Sequence, residues 1–105
     1  MEKLGIIGCG TMGHSIALAA AWAGLPVTLH GLNSSETEDA QSSILNKLKM
    51  LSNSGLFNLD TIELIMKRIT VTHSIDEIAA VSSFIIESIP ENIDLKKTFF
   101  NILIK

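Results

Sequence analysis

Three glycines, Gly8, Gly10 and Gly13, stand in the spacing G-x-G-x-x-G inside the stretch LGIIGCGTMGHSIALAAAWAG, residues 4–24. The apolar residues Leu4, Ile6 and Ile7 precede them and an alanine-rich run follows. That order reads as strand, tight turn, helix. Each glycine has a physical task if the turn holds a dinucleotide. Gly8 permits the sharp exit from the strand. Gly10 has no Cβ to keep a pyrophosphate off the backbone, and Gly13 lets the helix lie close to the strand. The free N–H groups and positive dipole end of the helix then face the phosphates. The motif alone is weak, since glycine turns are common. Its place between a strand and a helix, at the start of a βαβ unit, carries the dinucleotide reading against that of a turn with no ligand.

Other residue types capable of chemistry are scattered. His14 falls in the first turn of the expected helix, His30 ends the second strand, and His73 follows the third. None has a carboxylate at the spacing of a catalytic pair, and three separated histidines do not make a metal set. No catalytic residue and no metal is therefore expected. Cys9, at a helix N-terminus, occupies a place where a thiol pKa can fall, or serves as a small residue in a tight loop.

The elements that must position these residues follow from pattern. A strand over 4–7 is apolar on both faces, as a buried parallel strand is. A helix over 11–23 places Met12, Ile16, Ala19, Ala20 and Ala23 on one face and Leu18 with Trp22 on another. Gly24 supplies its cap and Pro26 prevents continuation. A second strand spans 26–30. Ser35 with Glu38 forms a capping box for a second helix, with Ile44, Leu45, Leu48 and Leu51 inward and Lys47 and Lys49 outward. A short helix over 59–67 buries Ile62, Ile65 and Met66, and a third strand spans 69–72. Ser74 with Glu77 opens another helix, reaching about Ala80. A fourth strand spans 83–89 and a last helix starts near Asn92, with Leu95, Phe99, Ile102 and Leu103 on one face. Alternating strands and helices give an α/β fold, a Rossmann-type doubly wound parallel sheet of about four strands in the order 3-2-1-4. Its crevice lies at the carboxyl ends of strands one and four.

Composition narrows the function. With 105 residues the chain is one domain. A hydrophobic share of 47% is high for its size and implies an apolar surface that something covers. The net charge of −3 argues against nucleic acid. The apolar stretch 16–27 is far shorter than the ~20 residues of a membrane span. The glycine motif and the Glu2-Lys3 pair argue against a signal peptide. A lone cysteine excludes an internal disulfide and fits a reducing, cytoplasmic compartment.

Laid out in this way, the chain resembles the NAD-binding domain of the 3-hydroxyacyl-CoA dehydrogenase family over nearly its whole length. The stretches that carry the resemblance are GCGTMGHSIALAAAWAGLPVTL, RITVTHSIDE and IIESIPENIDLKKTFF. The last is the more specific, with an acidic residue closing strand four, then P-E-N and a lysine-bearing helix. The resemblance implies oxidation of the hydroxyl of 3-hydroxyacyl-CoA esters with hydride passing to NAD, as in fatty acid metabolism. By position it assigns Gly8, Cys9, Gly10, Thr11, Met12 and Gly13 to the phosphate loop. It puts Gly31 at the ribose, Glu91 beside the nicotinamide end, and Lys96 five residues further on.

Two departures stand out. The family carries an acidic residue at the end of strand two, where this chain has Gly31, and no carboxylate follows before Glu36. Lysine and arginine are absent between Gly31 and Gln41, so nothing there selects NADP, although NADP is not excluded. Asn33 contacts the ribose or shapes the turn. The family's catalytic histidine, its helpers and a helical domain lie beyond the matched stretch. Residues 1–105 are thus expected to form the N-terminal cofactor domain, inactive alone, of an acyl-CoA dehydrogenase that is a homo-oligomer and meets neither membrane nor nucleic acid. Strand four, left as an edge, invites self-association. A non-catalytic dinucleotide-binding module and a different Rossmann ligand, FAD or S-adenosylmethionine, stay open.

Overall fold

Leu4, Gly5, Ile6 and Ile7 form β1 (Leu4–Ile7), and all four are buried, as a strand with neighbours on both edges and helices on both faces has to be. The computed structural model describes residues 2–88. Within them the order is β1, α1 (Thr11–Trp22), β2 (Val27–His30), α2 (Ser34–Asn53), α3 (Leu59–Lys67), β3 (Ile69–Thr72), α4 (Ile75–Val81) and β4 (Phe84–Glu87). The sheet is parallel throughout, in the order β3-β2-β1-β4. This is the Rossmann-like arrangement expected from the sequence. The helix expected from Asn92, with Glu91 and Lys96, lies outside the described residues. Among the described residues no helix is long and apolar enough to cross a membrane.

Register aligns the strand ends. Ile7 stands opposite His30 on one side and Glu87 on the other. The Gly8 amide donates to His30 O at 3.2 Å, the Gly31 amide to Thr72 O at 3.1 Å, and the Ser88 amide to Ile7 O at 2.7 Å. The chain therefore leaves β1, β2 and β4 along one edge, where α1 and α2 begin.

One layer contains α1, α2 and α3. Its core joins Leu4, Ile6, Val27 and Leu29 of the sheet to Ala17, Leu18, Ala21, Ile44, Leu48, Ile62 and Ile65 of the helices. On the other layer, α4 packs against the opposite face. A Cβ built on Gly5 would meet Ile78 Cγ2 at 2.7 Å and the Ser82 side chain. Alternation puts Ile7 on that face too. Trp22 meets Phe57 edge-on, with ring centroids 5.2 Å apart.

Several local expectations need correction. The buried side of α1 runs through Gly13, His14, Ala17, Leu18 and Ala21, while Met12 is 70% exposed and Ala19 and Ala23 are exposed. Alanines on every side leave the apolar face undefined, and the close approach of Gly13 to Gly8 sets the rotation instead. The cap of α2 is Asn33, whose side chain accepts from the Glu36 amide at 3.0 Å, two residues ahead of the Ser35–Glu38 box. Its oxygen is committed to that amide, which is the turn-shaping role. Lys47 does not point outward; its Nζ donates to His14 Nε2 and to Ser15 Oγ, both at 3.0 Å. Among the described residues the ladder of β4 runs over Phe84–Glu87, and Ile89 of the expected strand lies outside them. The Ser74 cap of α4 stands as expected, accepting from the Glu77 amide at 3.1 Å.

Candidate functional site

The site is built where β1 hands over to α1. Gly8 has φ of 99°, a left-handed conformation that other residues rarely adopt, and it turns the chain out of the sheet. Gly13 sits one helical turn beyond. A Cβ there would run into the carbonyl oxygen of Gly8, so the helix start lies directly against the turn. Gly10 differs from both. It is the N-cap residue of α1, in ordinary extended backbone, and a Cβ on it would meet nothing within 4 Å. No packing inside the described protein requires Gly10 to be a glycine. The space on its outer side is open.

Capping sharpens the contrast. The first turns of α2, α3 and α4 are capped by the side chains of Asn33, Asn58 and Ser74. That of α1 has no side-chain cap. The first amides of a helix have no partner within it, and they gather a partial positive charge. A built turn without a side-chain acceptor, opening on free space, suits an anionic ligand oxygen. The residues present thus fit a pyrophosphate.

Beside the loop is a cleft of about 260 Å³, lined by Cys9, Gly10, Thr11, His14, Glu36, Asp39, Ala40 and Ser43. Its floor is fixed by polar contacts. Lys47 has only protons to give, so His14 Nε2 accepts from it and the other ring nitrogen, Nδ1, donates to Cys9 O at 3.4 Å. His14 is therefore a tie between the loop and α2. Cys9 is buried and its thiol donates weakly to Glu36 O at 3.5 Å, with Glu36 Oε1 at 4.0 Å. Burial first, then the negative charge of Glu36, pushes the Cys9 thiol above its ordinary value. The lowered pKa considered for a thiol at a helix start does not occur. Cys9 is a small packing residue.

The strand-two terminus is equally defined. Gly31 is buried, and a Cβ there would lie 2.8 Å from Thr37 Cγ2 and 2.9 Å from Cys9 Sγ. His30 is buried, and burial holds its imidazole below its ordinary pKa, against an opposing pull from Glu36. His73 Nε2 pairs with Thr37 Oγ1 at 3.3 Å.

Of the residues singled out in the sequence, Gly8, Cys9, Gly10, Thr11 and Gly13 come together at one turn, with Gly31 against Cys9. Met12 projects outward from the helix start. The sequence reading missed Glu36, Asp39 and His14 as lining residues. Glu36 was detectable only by placing the N-terminus of α2 correctly, because the true cap, Asn33, turns its first-turn acid toward the loop.

The 3-hydroxyacyl-CoA dehydrogenase, NAD binding domain, family model matches residues 3–105. A probable 3-hydroxyacyl-CoA dehydrogenase of Caenorhabditis elegans is 33% identical over 105 residues, which is 95% of this chain and 34% of that protein. The 3-hydroxyadipyl-CoA dehydrogenase of Escherichia coli is 30% identical over 100 residues, covering 95% of this chain and 21% of that protein. Among solved structures, (S)-3-hydroxybutyryl-CoA dehydrogenase from Ralstonia eutropha superposes with a TM-score of 0.92 at 27% identity, over 98% of this chain and 36% of that one. The chain thus spans about a third or less of the length of these relatives.

Proposed function

The chain belongs to the family of 3-hydroxyacyl-CoA dehydrogenase NAD-binding domains, and from that premise we propose that it binds NAD across the carboxyl edge of β1 as the cofactor domain of a dehydrogenase acting on a 3-hydroxyacyl-CoA. One observation carries the binding assignment. The uncapped first turn of α1 opens on free space at Gly10, while Gly8 and Gly13 clasp each other beneath it. Bound NAD would supply the acceptor for the substrate's hydride. The work of these residues is to hold and orient. The amides of the α1 first turn take the pyrophosphate, and the Cys9 backbone, tied to His14 and through it to Lys47, keeps that turn in register with α2.

On the resemblance, Glu91 matches the family's glutamate beside the nicotinamide end and Lys96 the lysine five residues further on, and the family's general base lies outside the matched stretch. The same reading puts the protein in fatty acid metabolism and in the cytoplasm, which the lone, buried Cys9 suits. Titration calorimetry of NAD against the 105-residue chain tests it. Saturable binding at one site, with no ketone formed from a 3-hydroxyacyl-CoA, is the expected result. Absence of binding overturns the assignment, and turnover by this chain alone overturns the division of labour.

A further inference from the structure

Resting on the dinucleotide assignment above, we propose that Glu36, from the first turn of α2, holds the adenosine ribose and makes this site select NAD over NADP. The end of β2, where a carboxylate would ordinarily reach the ribose hydroxyls, carries Gly31. That position has no room for one. The space a side chain would enter is already taken by Thr37 and by the sulfur of Cys9. Glu36 stands beside the same sulfur, its Cβ 3.5 Å from where a Gly31 Cβ would lie and its Oε1 4.0 Å from Sγ, and it lines the cleft together with Gly10 and Thr11. The cleft therefore has a carboxylate beside the phosphate loop, delivered by a helix instead of a strand.

The backbone of Glu36 is anchored. Its amide donates to the Asn33 side chain, and its carbonyl accepts from Cys9. What is left to the carboxylate is the cleft. Two carboxylate oxygens accept from two vicinal hydroxyls, which is the pattern of a ribose diol. A 2′-phosphate in the same place would meet like charge. Among the described residues no free lysine or arginine is at hand to relieve it. Residues 31–41 contain no lysine or arginine, and the Lys47 ammonium is engaged by His14 and Ser15. Asp39 also lines the cleft but is exposed, one turn further along α2. It is the natural control.

The experiment measures NAD and NADP affinities by titration calorimetry for the parent chain, Glu36→Gln and Asp39→Asn, with circular dichroism to verify the fold. The parent is expected to prefer NAD. Glu36→Gln should weaken NAD about tenfold or more without weakening NADP, since hydrogen bonds to a charged group are at stake. Asp39→Asn should move the ratio less. A parallel measurement needs no substitution: NAD lacking the adenosine 2′-hydroxyl should bind the parent about tenfold less tightly. An NAD-to-NADP ratio unchanged in Glu36→Gln, or a deoxy analogue that binds the parent as well as NAD does, overturns the role of Glu36 while leaving the dinucleotide site standing. Failure of the parent to bind either dinucleotide overturns the site itself, and this inference with it.

Discussion

Substituting alanine at Gly10 and at Gly13 should separate binding from folding, although the two glycines belong to one motif. At Gly10 the backbone is already at φ −64° and the Cβ enters empty space. The fold pays only for alanine being a poorer N-cap, up to about 1 kcal/mol, partly offset by the stiffer unfolded chain at about 0.4–1 kcal/mol. Stability should therefore stay within about 1 kcal/mol of the parent. The added methyl nevertheless occupies the approach to the α1 amides, so NAD affinity should fall by about a hundredfold or more, equivalent to about 3 kcal/mol. At Gly13 the Cβ collides with the backbone carbonyl of Gly8, which cannot rotate away as a side chain would. Overpacking of this kind costs about 1–3 kcal/mol or more. For a domain of this size each kcal/mol is about 4–8 °C, so the melting temperature of Gly13→Ala should drop by about 10 °C or more. The assay pairs thermal melts with NAD titrations of both variants. Unchanged affinity in Gly10→Ala, or an unchanged melting temperature in Gly13→Ala, refutes the reasoning.

Gly5→Ala should destabilise by about 1–3 kcal/mol, because its Cβ meets Ile78 and Ser82 of the opposite layer; a denaturant midpoint equal to the parent's contradicts this. The folded-state pKa of His30 is held below its ordinary value of 6.5. The unfolded chain therefore takes up its proton first as pH falls, and the stability His30 contributes above that value is lost on descent. Melting temperature should decline from about pH 7 to about pH 5, and His30→Gln should flatten the slope. A polypeptide of these 105 residues should also self-associate through β4, which among the described residues pairs only with β1 and exposes Phe84. Light scattering that shows a clean monomer at high concentration contradicts that.

The strands were legible because short β-branched or aliphatic runs bounded by turn residues have few alternatives; β1, β2 and β3 fall within a residue of expectation. Parallel order followed from the alternation of elements. The burial of α1 was not legible. Its alanines look alike from every side, and the face is chosen by a contact between Gly13 and Gly8 that only the folded turn reveals. The cap of α2 was misplaced because Asn33, Ser34 and Ser35 are all competent caps, and register with the end of β2 decides among them. That shift hid Glu36. Lys47 was read as solvated because its partner, His14, lies thirty-three residues away in sequence. In each case short-range pattern gave the element, and a long-range contact gave its orientation.

Amide shift mapping by nitrogen-15 NMR during an NAD titration tests the central claim most directly, that the first turn of α1 is the pyrophosphate seat. The largest saturable shifts should fall on Gly10, Thr11, Met12 and Gly13, with the Glu36 amide following. Saturable shifts centred elsewhere, for instance on the groove formed by Leu18, Lys47 and Leu51, with the loop amides unmoved, would contradict the account.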